Sequence, residues 1–260
     1  RKRAKILDAE ETRVSMAEEE GEPVPAFPLE VDAERVDKIL GPGNVKNDFP
    51  VEWDEPGRGI WMYVQGGGMG GVGAGDINTL PGTKGRLQLT GSVAEGIQES
   101  AKAGYGWVAE HQEELGIDDE AFKHDLQINY GDIGMPKDGP SAGAMTTLLI
   151  ASKLMRVPIR SKFTMTGTIE PGGRVGKIGG TVAKILGAYE AGVRTVLIPK
   201  ANEGDLRKLP DNVRDEMTIV PVSRLEEAVK LAFPGRFDTQ TPGITVIDGG
   251  QAAAAGPQAA

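Results

Sequence analysis

The sequence predicts an α/β protein, with mixed sheets covered by packed helices. Three observations carry this. Short β-branched runs alternate with helical patterns between about residues 48 and 236, the order of an α/β or α+β domain. At 260 residues, 39% of them hydrophobic, the chain is long enough to bury a core of its own. Glycine stands at 37 of 260, about twice its ordinary share of roughly 7%, with no collagen-like or low-complexity period.

The elements follow in order. Residues 1–27 are charge-segregated: Arg1, Lys2, Arg3 and Lys5 precede a run of acids, and Pro23, Pro25 and Pro28 follow. That pattern reads as a solvated helix end and a linker rather than a localisation signal. Residues 32–40 predict a short helix with Asp32 as cap and Gly41-Pro42 as stop. Residues 1–47 therefore read as a linker and the end of a preceding helical segment, and 48–236 as the main domain.

Within that domain Gly59–Val64 is strand-like and runs into a loop with seven glycines between 66 and 75. Gly66, Gly68 and Gly71 formally match a dinucleotide fingerprint, which requires a helix to start inside the loop. The turn-rich stretch Asp76–Gly85 follows instead, so the loop is expected to be flexible or hairpin-like. Ser92–Glu114 predicts a helix with a Ser92/Glu95 capping box and an apolar stripe through Ile97, Ala101, Gly104 and Val108. Asp125–Tyr130 alternates as a strand. Ser141–Met155 is apolar on nearly every side and predicts a buried helix. Then come a strand at Phe163–Met165, a glycine-rich turn and a helix over Thr181–Ala191. Strands at Thr195–Ile198 and Met217–Val220 precede a last helix, capped by a Ser223/Glu226 box. Residues 237–260 have nothing to bury and are expected to be disordered.

Composition removes several classes of function. A net charge of −9 argues against electrostatic nucleic-acid binding. With no cysteine there is no disulfide, thiolate metal site or thiol nucleophile. The two histidines, His111 and His124, sit among charged residues and read as surface positions. The longest apolar stretch, within Ala144–Met155, is far short of a membrane span. The chain opens on Arg1 rather than Met, as a processed product or excised piece would, so a missing signal peptide carries no weight. A reducing compartment fits the cysteine count, and the cytoplasm or an organelle matrix is expected.

Two residues stand out chemically. In Lys137–Gly143 (KDGPSAG), Pro140 sets a helix start and places Ser141 where free N–H groups and the positive dipole end point outward. Ser141 is then either an N-cap or a nucleophile with an oxyanion site beside it. Such a nucleophile needs a base. Lys184 follows Gly179-Gly180-Thr181, in the first turn after a Thr181 cap, flanked by Ala183 and Ile185. It is either a surface lysine or a base kept neutral by burial and the helix dipole.

The run Lys137–Gly143, then Met165-Thr166-Gly167, Gly179-Gly180, Lys184 and Val196–Pro199 with Asn202, resembles the proteolytic domain of Lon proteases. The likeness extends in order from Leu87 to Phe233. It implies a Lon-type α/β fold and a serine endopeptidase using a Ser141–Lys184 dyad, with Thr166 orienting the lysine and Asp138 as a supporting active-site residue. It further implies unfolded polypeptide substrates and a homo-oligomeric ring, with six members expected. ATP and Mg belong to an ATPase module outside this chain, and no cofactor or metal is expected within it. The nearest approach to a phosphate loop, Pro171–Ile178, lacks the first glycine and the Ser or Thr after Lys177. The resemblance leaves open an ATP-independent relative, a Ser-Lys amidohydrolase of small amides, and a docking module with a vestigial dyad. Two departures stand out: Thr168 where the family carries glutamate, and the glycine run where it has a more strand-like stretch.

Overall fold

β-Branched and aromatic side chains crowd a few short runs of this chain, and each such run is a strand because its neighbours complete the ladder. A computed structural model describes Thr12 and residues 51–82, 84–131 and 137–237, with the backbone of 247–248. The chain divides into two units, Arg1–Asp48 and Phe49–Ala260. The expected helix over 32–40 lies outside the described residues.

In the second unit β1 (Arg58–Val64) turns back into β2 (Gly70–Leu80), and β3 (Leu87–Thr90) leads to α1 (Glu95–Glu110) and the single turn α2 (Gln112–Leu115). β4 (Asp125–Asn129) is followed by a 3₁₀ turn (Pro140–Ala142) and α3 (Gly143–Met155). After β5 (Phe163–Met165) comes a two-stranded hairpin, β6 (Thr168–Glu170) with β7 (Arg174–Gly176), and then α4 (Thr181–Glu190). β8 (Thr195–Pro199), a 3₁₀ segment (Lys200–Lys208), α5 (Asp211–Glu216), β9 (Thr218–Val222) and α6 (Leu225–Ala232) complete the unit. In the tail, β10 (Ile247–Asp248) pairs antiparallel with β9.

Eight strands form one mixed sheet in the order β10-β9-β8-β5-β1-β2-β4-β3. Its centre, β9-β8-β5-β1, is parallel, and β2 and β4 continue it beyond β1. Period-two alternation sorts neighbouring residues onto opposite faces. Trp61, Met165, Leu197 and Val220 join the core under α1, α3 and α6. Ile60, Met62, Val196, Ile198 and Ile219 join the core under α4, with Ile185 and Ala188. The layers are helix, sheet, helix. α3 is buried along its length except at Lys153, as its all-round apolar pattern predicts.

Several local expectations fail, some because a tertiary partner wins and others because a neighbouring residue does. Asp76–Gly85 reads as turns, yet β2 reaches Leu80, because β1 and β4 pair with it on both edges. α1 begins at Glu95, not at a Ser92 cap, and Ala94 caps it without a side-chain bond. The preceding residues are captured elsewhere: Val93 bridges Lys137, and Ala94 N donates to Lys137 O at 2.8 Å. Gly180 rather than Thr181 caps α4, in the left-handed region at φ 68 where glycine fits best. α6 starts at Leu225, and Glu227, not Glu226, accepts the Ser223 N–H at 3.1 Å. The turn before α4 conceals the β6–β7 hairpin, in which Thr168 faces Gly176.

The glycines of β2 also have a packing role. Gly73 and Gly71 stand opposite Trp61 and Tyr63, and both aromatic rings lie across the glycine side of the ribbon. A Cβ on Gly75 would fall 1.6 Å from Trp61 Cη2. Trp61 also meets Tyr130, ring centres 4.6 Å apart. Gly75→Ala must push this ring off the sheet, and a loss of about 1–3 kcal/mol in urea unfolding is expected. A change within about 0.5 kcal/mol, the surface norm, would show that the ring does not need the bare strand.

Candidate active site

In a sheet with helices on both faces, groups from the two layers meet beyond the carboxyl ends of the parallel strands. Ser141 arrives from one face, in the 3₁₀ turn leading into α3. Lys184 arrives from the other, in the first turn of α4. Thr166 stands between them, one residue past the end of β5. Lys184 Nζ donates to Ser141 Oγ at 2.7 Å and to Thr166 Oγ1 at 3.1 Å. Thr166 Oγ1 in turn donates to Ser141 O at 3.2 Å, so its lone pairs face the amine. Gly167 N donates to the same carbonyl at 2.9 Å, and Ala144 N to Gly167 O at 3.0 Å. The segment leaving β5 thus clamps the backbone at Ser141 and at the start of α3.

This geometry shows that Ser141 is not a side-chain N-cap. Neither the 3₁₀ turn nor α3 has a side-chain cap, and the hydroxyl is engaged with Lys184 instead. Nor is Lys184 a surface lysine. The side chain is 4% exposed, and burial pushes its amine down to about 8 from 10.5.

The corner that carries Lys184 is fixed from behind by a residue whose role sequence reasoning did not assign. Buried Asn202 accepts from Ile178 N at 3.0 Å and donates to Ile178 O, Thr181 Oγ1 and Asp205 Oδ2. Thr181 Oγ1 donates to the same Asp205 oxygen at 2.9 Å, which puts a carboxylate at the positive end of α4. The signal in the sequence is its place, three residues after Pro199, in the set of motifs that resembles the Lon domain.

Asp138 lies on the groove wall, exposed, and its Oδ1 accepts from Gly139 N at 2.7 Å. Its carboxylate thus bonds the backbone of its own turn. Lys137 Nζ donates to Gly91 O and Gly131 O, tying the loops of the opposite wall. His124 is exposed as expected, but His111 is half-buried and stacks on Trp107 at 4.2 Å. Neither lines the groove.

The groove has a volume of about 1030 Å³, and Trp61, Tyr63, Ile97 and Tyr130 line it beside the Ser-Lys pair. β1 pairs with β5 only as far as Trp61↔Met165. Met62–Val64 continue along the groove with no strand on that edge among the described residues.

The sequence profile of the Lon protease (S16) C-terminal proteolytic domain matches residues 30–235. The chain belongs to the Lon protease family. It is 35% identical over 219 residues to a Lon protease of Chloroflexus aggregans, covering 83% of this chain and 26% of that protein. A Lon protease of Xanthomonas oryzae pv. oryzae is 40% identical over 204 residues, 78% of this chain and 24% of its own. Lon protease 2 of Herpetosiphon aurantiacus is 44% identical over 151 residues, 58% and 18% respectively. The chain thus spans about a fifth to a quarter of these Lon proteases.

The Lon resemblance brings ATP and Mg into question, and the described residues do not fit them. Pro171–Ile178 forms a 3₁₀ turn and β7 and opens no helix, and the N-terminus of α4 already holds the Asp205 carboxylate. Among the described residues no cluster of His, Asp or Glu is arranged to hold a metal ion, and no helix is long and apolar enough to cross a membrane.

The buried amine has a consequence for stability. Below about pH 8 Lys184 is charged in folded and unfolded chains alike, and the fold bears the whole desolvation penalty; above 10.5 it is neutral in both. Between these limits the unfolded chain binds the extra proton, so stability rises with pH, by about 3 kcal/mol. Urea unfolding of Ser141→Ala protein, with and without Lys184→Met, isolates this contribution. The rise is expected only where Lys184 is present, and equal profiles would mean the amine is hydrated.

Proposed function

We propose that this chain is the peptidase part of a Lon protease, a serine endopeptidase in which Ser141 is the nucleophile and Lys184 the general base. The single observation that carries the reading is the 2.7 Å contact between a buried amine and the serine hydroxyl. With Lys184 neutral, the hydroxyl donates to the amine lone pair while an amine N–H stays on Thr166. Ser141 Oγ attacks the peptide carbonyl carbon, its proton passes to Lys184 Nζ, and the carbonyl oxygen becomes an oxyanion. The leading N–H groups of the 3₁₀ turn, which have no intrahelical acceptor, are suited to receive that charge. The ammonium returns its proton to the departing amine as the C–N bond breaks. Water then hydrolyses the acyl-serine ester, with the same amine taking a proton and giving it back to Ser141. Asp138 acts in this scheme by shaping the turn ahead of the nucleophile.

The open Met62–Val64 edge along the groove favours an extended polypeptide over a small amide, because a strand can add there through main-chain bonds. Unfolded proteins are the substrate class that supplies such strands. The proposal extends to a homo-oligomer, a ring of six, working in the cytoplasm and coupled to an ATPase module carried elsewhere in the parent protein. Family membership supports these last points.

Ser141→Ala and Lys184→Arg are each expected to lower cleavage of unfolded casein by at least about 10³-fold with unfolding transitions intact, since guanidinium cannot serve as a base. Wild-type turnover by either variant would overturn the dyad. Small amides cut while casein is spared would overturn the substrate class.

A further inference from the structure

The glycine run of the β1–β2 hairpin divides by position. At the tip, Gly66, Gly67 and Gly68 have open space around them, Gly67 and Gly68 turn the chain at φ 92 and 80, and Met69 is 65% exposed. Further along β2, Gly71, Gly73 and Gly75 carry the Trp61 and Tyr63 rings. Gly70 falls between these groups and faces the other way, onto α4.

Its contact is backbone against backbone. A Cβ on Gly70 would lie 1.6 Å from Ala183 O, 2.3 Å from Ala183 C and 3.0 Å from Lys184 N. The strand therefore touches α4 at the peptide bond that enters Lys184. One turn later a Cβ on Gly187 would fall 2.5 Å from Gly70 C and Gly71 N. At the start of the helix, Gly180 meets the end of β1, where its Cβ would come within 2.6 Å of Val64 Cγ2. Both arms of the hairpin thus lie on the face of α4 that bears Lys184. We propose that Gly70 is a positioning residue for the dyad: by letting the hairpin close onto α4, it keeps water from Lys184 and holds Nζ within reach of Ser141.

This inference rests on the Ser-Lys reading and explains how the fold maintains it. Non-bonded atoms settle near about 3.5 Å, so a methyl group at Gly70 must separate strand and helix by about 2 Å. Water would then reach the amine, and Lys184 would move from the serine. The amine itself faces the Ser141 and Thr166 hydroxyls. Lys137 and Asp138 are the charged groups lining its groove, and Glu190, Asp205 and Lys208 line the hollow behind α4 where Gly70 sits. Burial alone accounts for the low affinity of Lys184 for its proton.

Gly70→Ala and Gly187→Ala test the contact from its two sides in the full chain. Gly106→Ala, in open space on α1, is the control. Cleavage of an unstructured peptide is followed against pH. For each contact variant kcat/KM at pH 8 is expected to fall about 10²-fold, the cost of displacing a reacting group by an ångström or so. The midpoint of the alkaline rise is expected to move up by about one pH unit or more, with KM within about twofold. The Lys184 Cε resonance, titrated by NMR in Ser141→Ala chains with and without Gly70→Ala, is expected to show the same alkaline shift. Gly106→Ala is expected to change neither quantity. Loss of rate with an unmoved Lys184 midpoint, or wild-type rate and midpoint in both contact variants, would overturn the proposal. If Gly70→Ala does not fold, Gly187→Ala decides by the same readings. The NMR titration needs no catalysis, so it tests the hairpin even if Ser141 is not the nucleophile.

Discussion

Placing a lysine amine in a dry interior against a serine hydroxyl works against folding, because water solvates an ammonium far better than two hydroxyl groups do. This one contact explains much of the architecture around it. The amine can be buried only where something else holds it, and here the holding comes from both faces of a sheet. Ser141 belongs to a turn anchored by the wholly buried helix α3, and Lys184 to a helix seated on the opposite core. Neither core alone contains both groups. They meet beyond the carboxyl end of β5, because the chain leaving that strand supplies Thr166 and Gly167 to bind the backbone of Ser141.

The bonds near the pair divide the task. Thr166 accepts from the amine while donating to the Ser141 carbonyl, so its hydroxyl cannot turn away without losing both bonds. Asn202 and Asp205 fix the corner from which α4 departs. The hairpin closes over the remaining side of α4. Glycine serves each of these close approaches for one reason: a Cβ would occupy the space needed by a backbone or a ring. The glycines of β2 and of the facing side of α4 are therefore a record of contacts, unlike those at the hairpin tip.

Much of this was legible in the sequence where local pattern and tertiary context agree. Phe163–Met165 and Thr195–Pro199 are short β-branched or aromatic runs bounded by turns, and both are central parallel strands. Ser141–Met155 is apolar all round and is the buried helix. Ser141, Thr166 and Lys184 are far apart in the chain, and only their joint resemblance to the Lon family set them together before the geometry did. What was not legible depended on absent partners. β2 looks like turns because glycine, asparagine and aspartate dominate it, and its order comes from β1 and β4. The Ser92 and Thr181 caps fail because Lys137 and Asp205 offer competing bonds from outside the local pattern. At Ser223 the next acid along, Glu227, takes the place of Glu226. Gly70 carries no sign of Ala183, since a missing side chain says nothing about what fills its place.

The central claim is that burial and contact with Lys184 make Ser141 the reactive hydroxyl of this chain. Labelling with a fluorophosphonate, with the adduct located by mass spectrometry, tests it most directly. The account predicts one adduct, on Ser141, forming faster as pH rises through about 8 and absent from Lys184→Met protein. An adduct on another residue, or undiminished labelling of Ser141 without Lys184, would contradict it.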